Sequence, residues 1–441
     1  AAPSAPPPGA PATGAPYSPD PANGAFDARH YALDVAYNRD TDRLDGRTTL
    51  TARATQNLSS FDLDLQKLEV TRVEVNGRRA EFTREGDELR ITPRRVLTKG
   101  STFTVAVTYG GVPEPLNGPI VFGSDYGWMK TPDGVFVACE PNAASTWFPS
   151  SDHPDDKATY DIRIKAPKGL TGVSNGRLVS TYDTGDSTYT HWRASQPLAT
   201  YLATATIGKV DVRTGRTPAG IPIYVAIDPV LANSNNVDVY AVTAAATDYW
   251  QQIFGPYPFE ETGAIVDDMP QAGFSLEVQS KPAYSAVRNE TTIVHELAHQ
   301  WFGDSVSVRR WKDIWLNEGF ATYAQWLWAE HPGTRSAHDS FLAAYNSRPA
   351  DSAFWQITVA DPQRDTMFAS AVYQRGAMTL QALRERIGDQ AFFKLLPAWT
   401  KLHRHGNADT ADFVRLAQKI SGQDLTDLFQ KWIHTTGKPA L

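Results

Sequence analysis

The hydrophobic period changes once along this chain, and that change limits the fold more than any other feature. Between about residue 30 and residue 209, apolar side chains recur at every second position. Examples are Tyr31, Leu33, Val35 and Tyr37, then Phe61, Leu63 and Leu65, then Phe103, Val105, Val107 and Tyr109. Such alternation turns one face of a strand to a core and the other to water. Asn76-Gly77 and Glu85-Gly86-Asp87 supply hairpin turns between runs of this kind, so the N-terminal half reads as an antiparallel β domain. After a last strand pair ending near Ile227 the period becomes helical. Helices are expected over 236–254, 369–387, 390–402, 411–421 and 425–434, with a short buried strand at 263–267. Strands followed by helices predict an α+β chain of separate domains, not a doubly wound sheet. The expected divisions are a leader at 1–23, a β domain at 24–209 and a mostly helical domain at 210–441.

Composition narrows the partners. At 441 residues the chain is too long for one core, and a net charge of -7 supplies no basic surface for nucleic acid. No apolar run is long enough to span a membrane. Eight of the 30 prolines fall between Pro3 and Pro21, interleaved with alanine, in a stretch that cannot bury a core. Such a leader fits an exported protein, and a cytoplasmic linker would have the same composition. Cys139 is the only cysteine, which excludes internal disulfides and cysteine-based metal clusters, and it reads as a buried thiol.

The chemistry concentrates between Thr291 and Tyr323. In His295-Glu296-Leu297-Ala298-His299 the two imidazoles stand one helical turn apart on one face, with Glu296 beside them. That arrangement suits Zn2+, which binds imidazole nitrogen and keeps a position open in catalytic sites. A bare pattern of this length arises by accident in roughly one such sequence in a hundred. A third ligand candidate strengthens it: Glu318, nineteen residues after His299, opens a helix expected over 316–330. Upstream, Cys139-Glu140-Pro141-Asn142 places turn chemistry directly after a carboxylate, which breaks the plain strand pattern.

His295-Glu296-x-x-His299 with Glu318, the run Trp311-x-Asp313-x-Trp315-Leu316-Asn317-Glu318-Gly319-Phe320-Ala321, and Val372-Tyr373-x-Arg375-Gly376-Ala377 together resemble the M1 family of zinc metallopeptidases, the aminopeptidase N group. The likeness extends over about 26–441. It implies a saddle-shaped β domain followed by a thermolysin-like catalytic domain that holds one Zn2+ per chain. It further implies that His295, His299 and Glu318 are the zinc ligands, that Glu296 is the general base, and that the Tyr373 hydroxyl faces the scissile carbonyl. In the family a G-x-M-E-N loop reads the substrate's free amine. The corresponding run here is Gly273-Phe274-Ser275-Leu276-Glu277-Val278, so Glu277, with Gly273 in the loop and Glu140 from the β domain, is implied in binding the peptide N-terminus.

Four departures from the family pattern stand out. Val278 replaces the loop asparagine, the Gly273-to-Glu277 spacing is longer than usual, Ala138 stands where glutamine is frequent, and Gln325 replaces an acid that could orient a zinc histidine. The chain also stops near Pro439-Ala440-Leu441, where a larger helical domain often follows, which suggests a two-domain member whose cleft is open or is covered by a second copy. The expected partners are peptides with a free N-terminus, acted on by a monomer or a dimer. Two competing readings are a thermolysin-like endopeptidase and an inactive binding protein on the same fold.

Overall fold

The computed structural model describes residues 25–441, and the leader expected at 1–23 lies outside them. The largest sheet has eight strands, in spatial order Arg177–Asp183, Ser187–Leu198, Ala158–Pro167, Phe26–Asn38, Arg43–Ala54, Thr102–Gly111, Glu69–Val75 and Arg78–Arg79. Tyr31, Leu33, Val35 and Tyr37 are buried while Asp34 between them is exposed, as the alternation requires. The turn at Asn76-Gly77 has positive φ at both residues, 51° and 77°, the geometry that matches strand twist.

One pairing departs from the antiparallel expectation. Phe26–Asn38 lies parallel to Ala158–Pro167, from His30 opposite Thr159 to Ala36 opposite Lys165. The intervening chain builds a three-stranded sheet (Phe61–Asp64, Glu81–Glu85, Glu88–Thr92) and much of a second five-stranded one before returning alongside the first strand in the same sense. That second sheet contains the hairpin Asp125–Lys130 and Val135–Ala138, which ends at the Glu140 turn.

From Asp211 onward a separate sheet begins. Its order is Asp211–Arg216, Pro222–Ile227, Thr262–Val266, Ala283–Tyr284 and Ser275–Leu276, with the second to fourth strands parallel and the last one at the edge. Helices make up the rest of this half: α1 (Val239–Phe254), which packs on the sheet, then α2 (Glu290–Ala298), α3 (Trp315–Glu330), α4 (Ala337–Asn346), α5 (Ser370–Ile387), α6 (Asp389–Leu402), α7 (Thr410–Ser421) and α8 (Thr426–Phe429), which continues as a π-helical turn, Gln430–His434. The first starts later than the period suggests because Asp238 caps it, accepting the Ala241 N–H. α4 was not anticipated, although the Ser336 cap before it is a readable start signal. No helix among the described residues is long and apolar enough to cross a membrane.

Two lysines join the halves. Lys157, leaving the β half, donates to the carbonyls of Asp304, Ser305 and Gly406 and to Ser307 Oγ, at 2.9–3.3 Å. Lys281 is fully buried, pairs with Glu261 at 2.6 Å and lies 4.6 Å from the Trp192 ring centre.

Candidate active site

The helix α2 starts where Asn289 accepts the Thr292 N–H, and it ends at His299, so His295 and His299 occupy its last turn. Gly303 lets the chain reverse beneath them at φ 125°. A Cβ there would come within 3.2 Å of the Asn317 side chain and 3.4 Å of His299 Nδ1. The reversal returns the chain to α3, whose first turn carries Glu318. α5 then lies against α3 at two glycines: a Cβ on Gly376 would stand 2.9 Å from the Gly319 Cα. Only bare backbone permits that approach. It brings Tyr373, three residues before Gly376, to the last turn of α2, where its ring lies nearly parallel to His295 at 6.2 Å.

His295 Nε2, His299 Nε2 and Glu318 Oε1 form a triangle with edges of 3.2, 3.2 and 3.0 Å. A tetrahedral ion about 2.0 to 2.1 Å from each ligand would set them about 3.3 Å apart. The outer nitrogens fix the tautomers. His299 Nδ1–H donates to the Phe302 carbonyl at 2.9 Å, and His295 Nδ1–H donates to Gln325 Oε1 at 2.7 Å. Each Nε2 therefore faces the centre, where without metal it shares a proton with Glu318 and where loss of that proton gives a lone pair, and the donor set fits zinc. Gln325 thus performs by its amide oxygen the orienting task that an acid would perform with a charge.

Glu296 lies beside the triangle, its Oε1 3.9 Å from His295 Nε2 and its buried Oε2 without a partner. Burial pushes its carboxyl up to about 7 against the opposing pull of both histidines. For Glu318, burial acts upward but His299 and hydrogen bonds from both imidazoles prevail, holding it at about 2. Glu277 is 2% exposed, and one of its carboxylate oxygens falls within 4.8 Å of ligand atoms of His299 and Glu318. Glu140 is half-buried, and burial followed by the charge of Glu277 raises its carboxyl well above the usual range. Neither acid pairs with a cation among the described residues, and Glu140 Oε2 and Glu277 Oε1 have no hydrogen-bond partner.

Gly273 behaves differently. It is exposed, its φ lies outside the left-handed region, and a Cβ there would meet nothing within 4 Å. The protein's own packing does not require glycine at that position. Val278 and Ala138, two of the departures, lie in one apolar cluster with Met129, Phe136, Met269, Ala272, Leu276 and Ala283. The two substitutions therefore act together: both face a dry seam between the hairpin and the Glu277 loop.

Several residues near the site had no role from sequence alone. Gln300 accepts the Ser280 N–H at 2.8 Å and donates to the Val278 carbonyl, gripping the chain on the far side of Glu277. Its position next to His299 was the available signal. Arg375, 1% exposed, donates to the carbonyls of Trp355, Lys431, Trp432, Thr435 and Gly437, tying the C-terminal turn to α5. Asp304 is fully buried with neither oxygen partnered, and the Tyr201 and Tyr284 hydroxyls are likewise buried and unpartnered.

Comparison with known proteins agrees with this geometry. The peptidase M1 N-terminal domain model matches residues 27–202, and the peptidase family M1 domain model matches residues 269–432. Aminopeptidase N of Streptomyces lividans is 30% identical over 333 residues, covering 69% of this chain and 38% of that protein. Aminopeptidase M1 of Arabidopsis thaliana is 27% identical, covering 68% of this chain and 37% of that protein. The chain thus spans under half the length of these relatives. The M1 zinc metallopeptidase of Deinococcus radiodurans superposes with a TM-score of 0.88 at 27% identity, covering 97% of each chain. A mutant of that protein bound to a Tyr-Ser-Ala substrate superposes at 0.87, with 26% identity and 97% of this chain and 98% of that one covered. With both halves matched and the zinc-type triangle between α2 and α3, the chain belongs to peptidase family M1.

Proposed function

We propose that the chain is a zinc-dependent aminopeptidase that removes residues one at a time from the free N-terminus of peptides. The observation that carries this reading is the pair Glu140 and Glu277, two acids with no cation on either of them, next to the His295, His299 and Glu318 triangle. A substrate ammonium supplies the missing positive charge, and a blocked N-terminus leaves it missing. Anchoring the amine there brings the first peptide bond, and no later one, to the triangle.

His295, His299 and Glu318 would hold the zinc, which polarises a carbonyl and makes water more acidic when bound. Glu296, with its carboxyl near neutrality, accepts a proton from the attacking water and delivers it to the leaving amine. Tyr373 keeps its proton, because burial and then the charges of Glu318, Glu140 and Glu277 raise its value well above the usual one. No hydrogen bond within the described residues engages its hydroxyl, which leaves it to donate to the developing oxyanion. The edge strand Ser275–Leu276, immediately before Glu277, offers main-chain groups along which a peptide can align. The relatives named as aminopeptidases, and the Tyr-Ser-Ala substrate on the D. radiodurans protein, support the same reading.

The test is to incubate the zinc-loaded chain with an unblocked oligopeptide and follow the products by mass spectrometry. A ladder of successive N-terminal losses that stops on zinc removal is expected. Internal fragments would point to an endopeptidase, and intact peptide despite full zinc occupancy to a binding protein.

A further inference from the structure

A second group of acids lies away from the zinc-type triangle. One carboxylate oxygen each from Asp133, Asp228 and Asp267 falls within 4.8 Å of the others. They come from distant parts of the chain. Asp133 sits in the turn of the hairpin between Asp125–Lys130 and Val135–Ala138. Asp228 and Asp267 follow directly on the neighbouring parallel strands Pro222–Ile227 and Thr262–Val266, whose last residues, Ile227 and Val266, are partners. Parallel strands that end together deliver both side chains to one place.

The hydrogen bonds made by these acids do not explain their meeting. Asp133 Oδ2 accepts the Lys209 N–H and Oδ1 the Thr131 hydroxyl, while Asp228 Oδ1 accepts the Val230 N–H. Asp267 is 3% exposed. Its Oδ1 accepts the Asp268 N–H at 2.8 Å, and its buried Oδ2 has no partner. No lysine or arginine forms an ion pair with any of the three among the described residues. The charge of Lys209 acts on Asp228, and Arg39 donates to the carbonyl of Pro132 beside Asp133, but neither pairs with Asp267. Burial first, then Asp133 and Asp228, push the Asp267 carboxyl up to about 8: the protein itself supplies its anion no counter-charge, and a bound cation would displace the proton.

We propose that Asp133, Asp228 and Asp267 form a calcium site that fastens the Asp133 hairpin to the loop leading to Glu277. The oxygen-only donor set selects a hard cation. The irregular origin of the donors fits calcium: three carboxylates from a hairpin turn and two strand ends suit an ion that accepts flexible coordination, whereas magnesium demands near-ideal octahedral geometry. The apolar seam already described joins the same two elements, through Met129 and Phe136 on the hairpin and Met269, Ala272 and Leu276 on the loop. Calcium closes the outer end of that seam. The hairpin runs on into Glu140 and the loop into Glu277, so the ion steadies both amine-reading acids. That consequence rests on the aminopeptidase reading; the binding itself does not.

The experiment uses the zinc-loaded chain in calcium-free buffer, melted with and without about 5 mM CaCl2, which covers even weak extracellular-type sites. Calcium takes oxygen ligands and leaves a histidine-bound zinc in place. The expected result is a rise in Tm of about 3 °C for the wild type. Amide exchange should slow with calcium at residues 130–135 and 267–273. Asp267→Asn should lose the calcium response and, without calcium, melt close to the wild type, because the amide replaces a carboxyl that holds its proton there. Asp133→Asn, on the half-exposed turn, should fold normally and also lose the response. A wild-type Tm indifferent to calcium overturns the proposal, and so does an equal rise in both variants.

Discussion

At the scale of single residues, the site is a set of acids in different surroundings. Glu318 is held ionised by two imidazoles, Glu296 is lifted by burial to about 7, and Glu140 is lifted well beyond its ordinary range by burial and by Glu277. Divergent settings give like groups unlike tasks. Glu296→Gln keeps the helix and both histidines, so zinc should remain at one per chain while kcat falls about a thousandfold; metal content measured beside turnover checks this. Tyr373→Phe removes one donor and keeps the ring against His295, so kcat should fall about a hundredfold with KM little changed. An unaltered kcat would assign the oxyanion to another donor. That His295 and His299 share a face was legible in the sequence because residues four apart on a helix stand one turn above each other; Glu318, on a different helix, could be named only as a candidate until the fold brought it to them. The orienting role of Gln325 and the grip of Gln300 were not, because each depends on a partner across the fold: His295 for Gln325, and Val278 and Ser280 for Gln300.

At the scale of elements, the closest contact of the site is the crossing of α3 and α5 at Gly319 and Gly376. Neither glycine needs a positive φ; each is there to make room. Gly376→Ala should part the two helices, lower stability by about 1 to 3 kcal/mol and reduce kcat by withdrawing Tyr373 from the triangle. Unfolding and turnover measured on one preparation separate the two effects, and a variant with normal kcat would show that Tyr373 does not depend on this crossing. Period-two alternation located the long strands well, since each has one wet face. It could not reveal the parallel pairing of Phe26–Asn38 with Ala158–Pro167, because nothing local in either strand specifies a partner so far along the chain. Nor could it show that Val278 and Ala138 share one apolar seam, which only the folded loop brings about.

At the scale of the whole molecule, buried acids link stability to pH. Burial pushes Asp152 up to about 8, with Asp64 adding to it, and pushes Asp156 up to about 7. Both titrate near 3.8 when unfolded, so the folded chain holds these protons more tightly. Their contribution to stability is complete below that value and is lost as pH rises through about 7 and about 8. Tm should therefore fall between about pH 5 and 8, above which this contribution is exhausted, and Asp152→Asn should flatten part of the slope. A Tm rising across that window would contradict this assignment. Sequence composition could not foresee the effect, because Asp152 and Asp156 look like ordinary surface acids until the β half closes over them.

The central claim, that Glu277 and Glu140 read a free amine beside the zinc-type triangle, is tested most directly by one comparison. It is kcat/KM for an aminoacyl-anilide and its N-acetylated twin, in the wild type and in Glu277→Gln. The wild type should cleave only the free-amine substrate, and the variant should lose about a hundredfold or more on it through a raised KM, the loss expected when one partner of a buried charge pair is removed. Cleavage of the acetylated substrate by the wild type, or an unchanged preference in Glu277→Gln, would contradict the account.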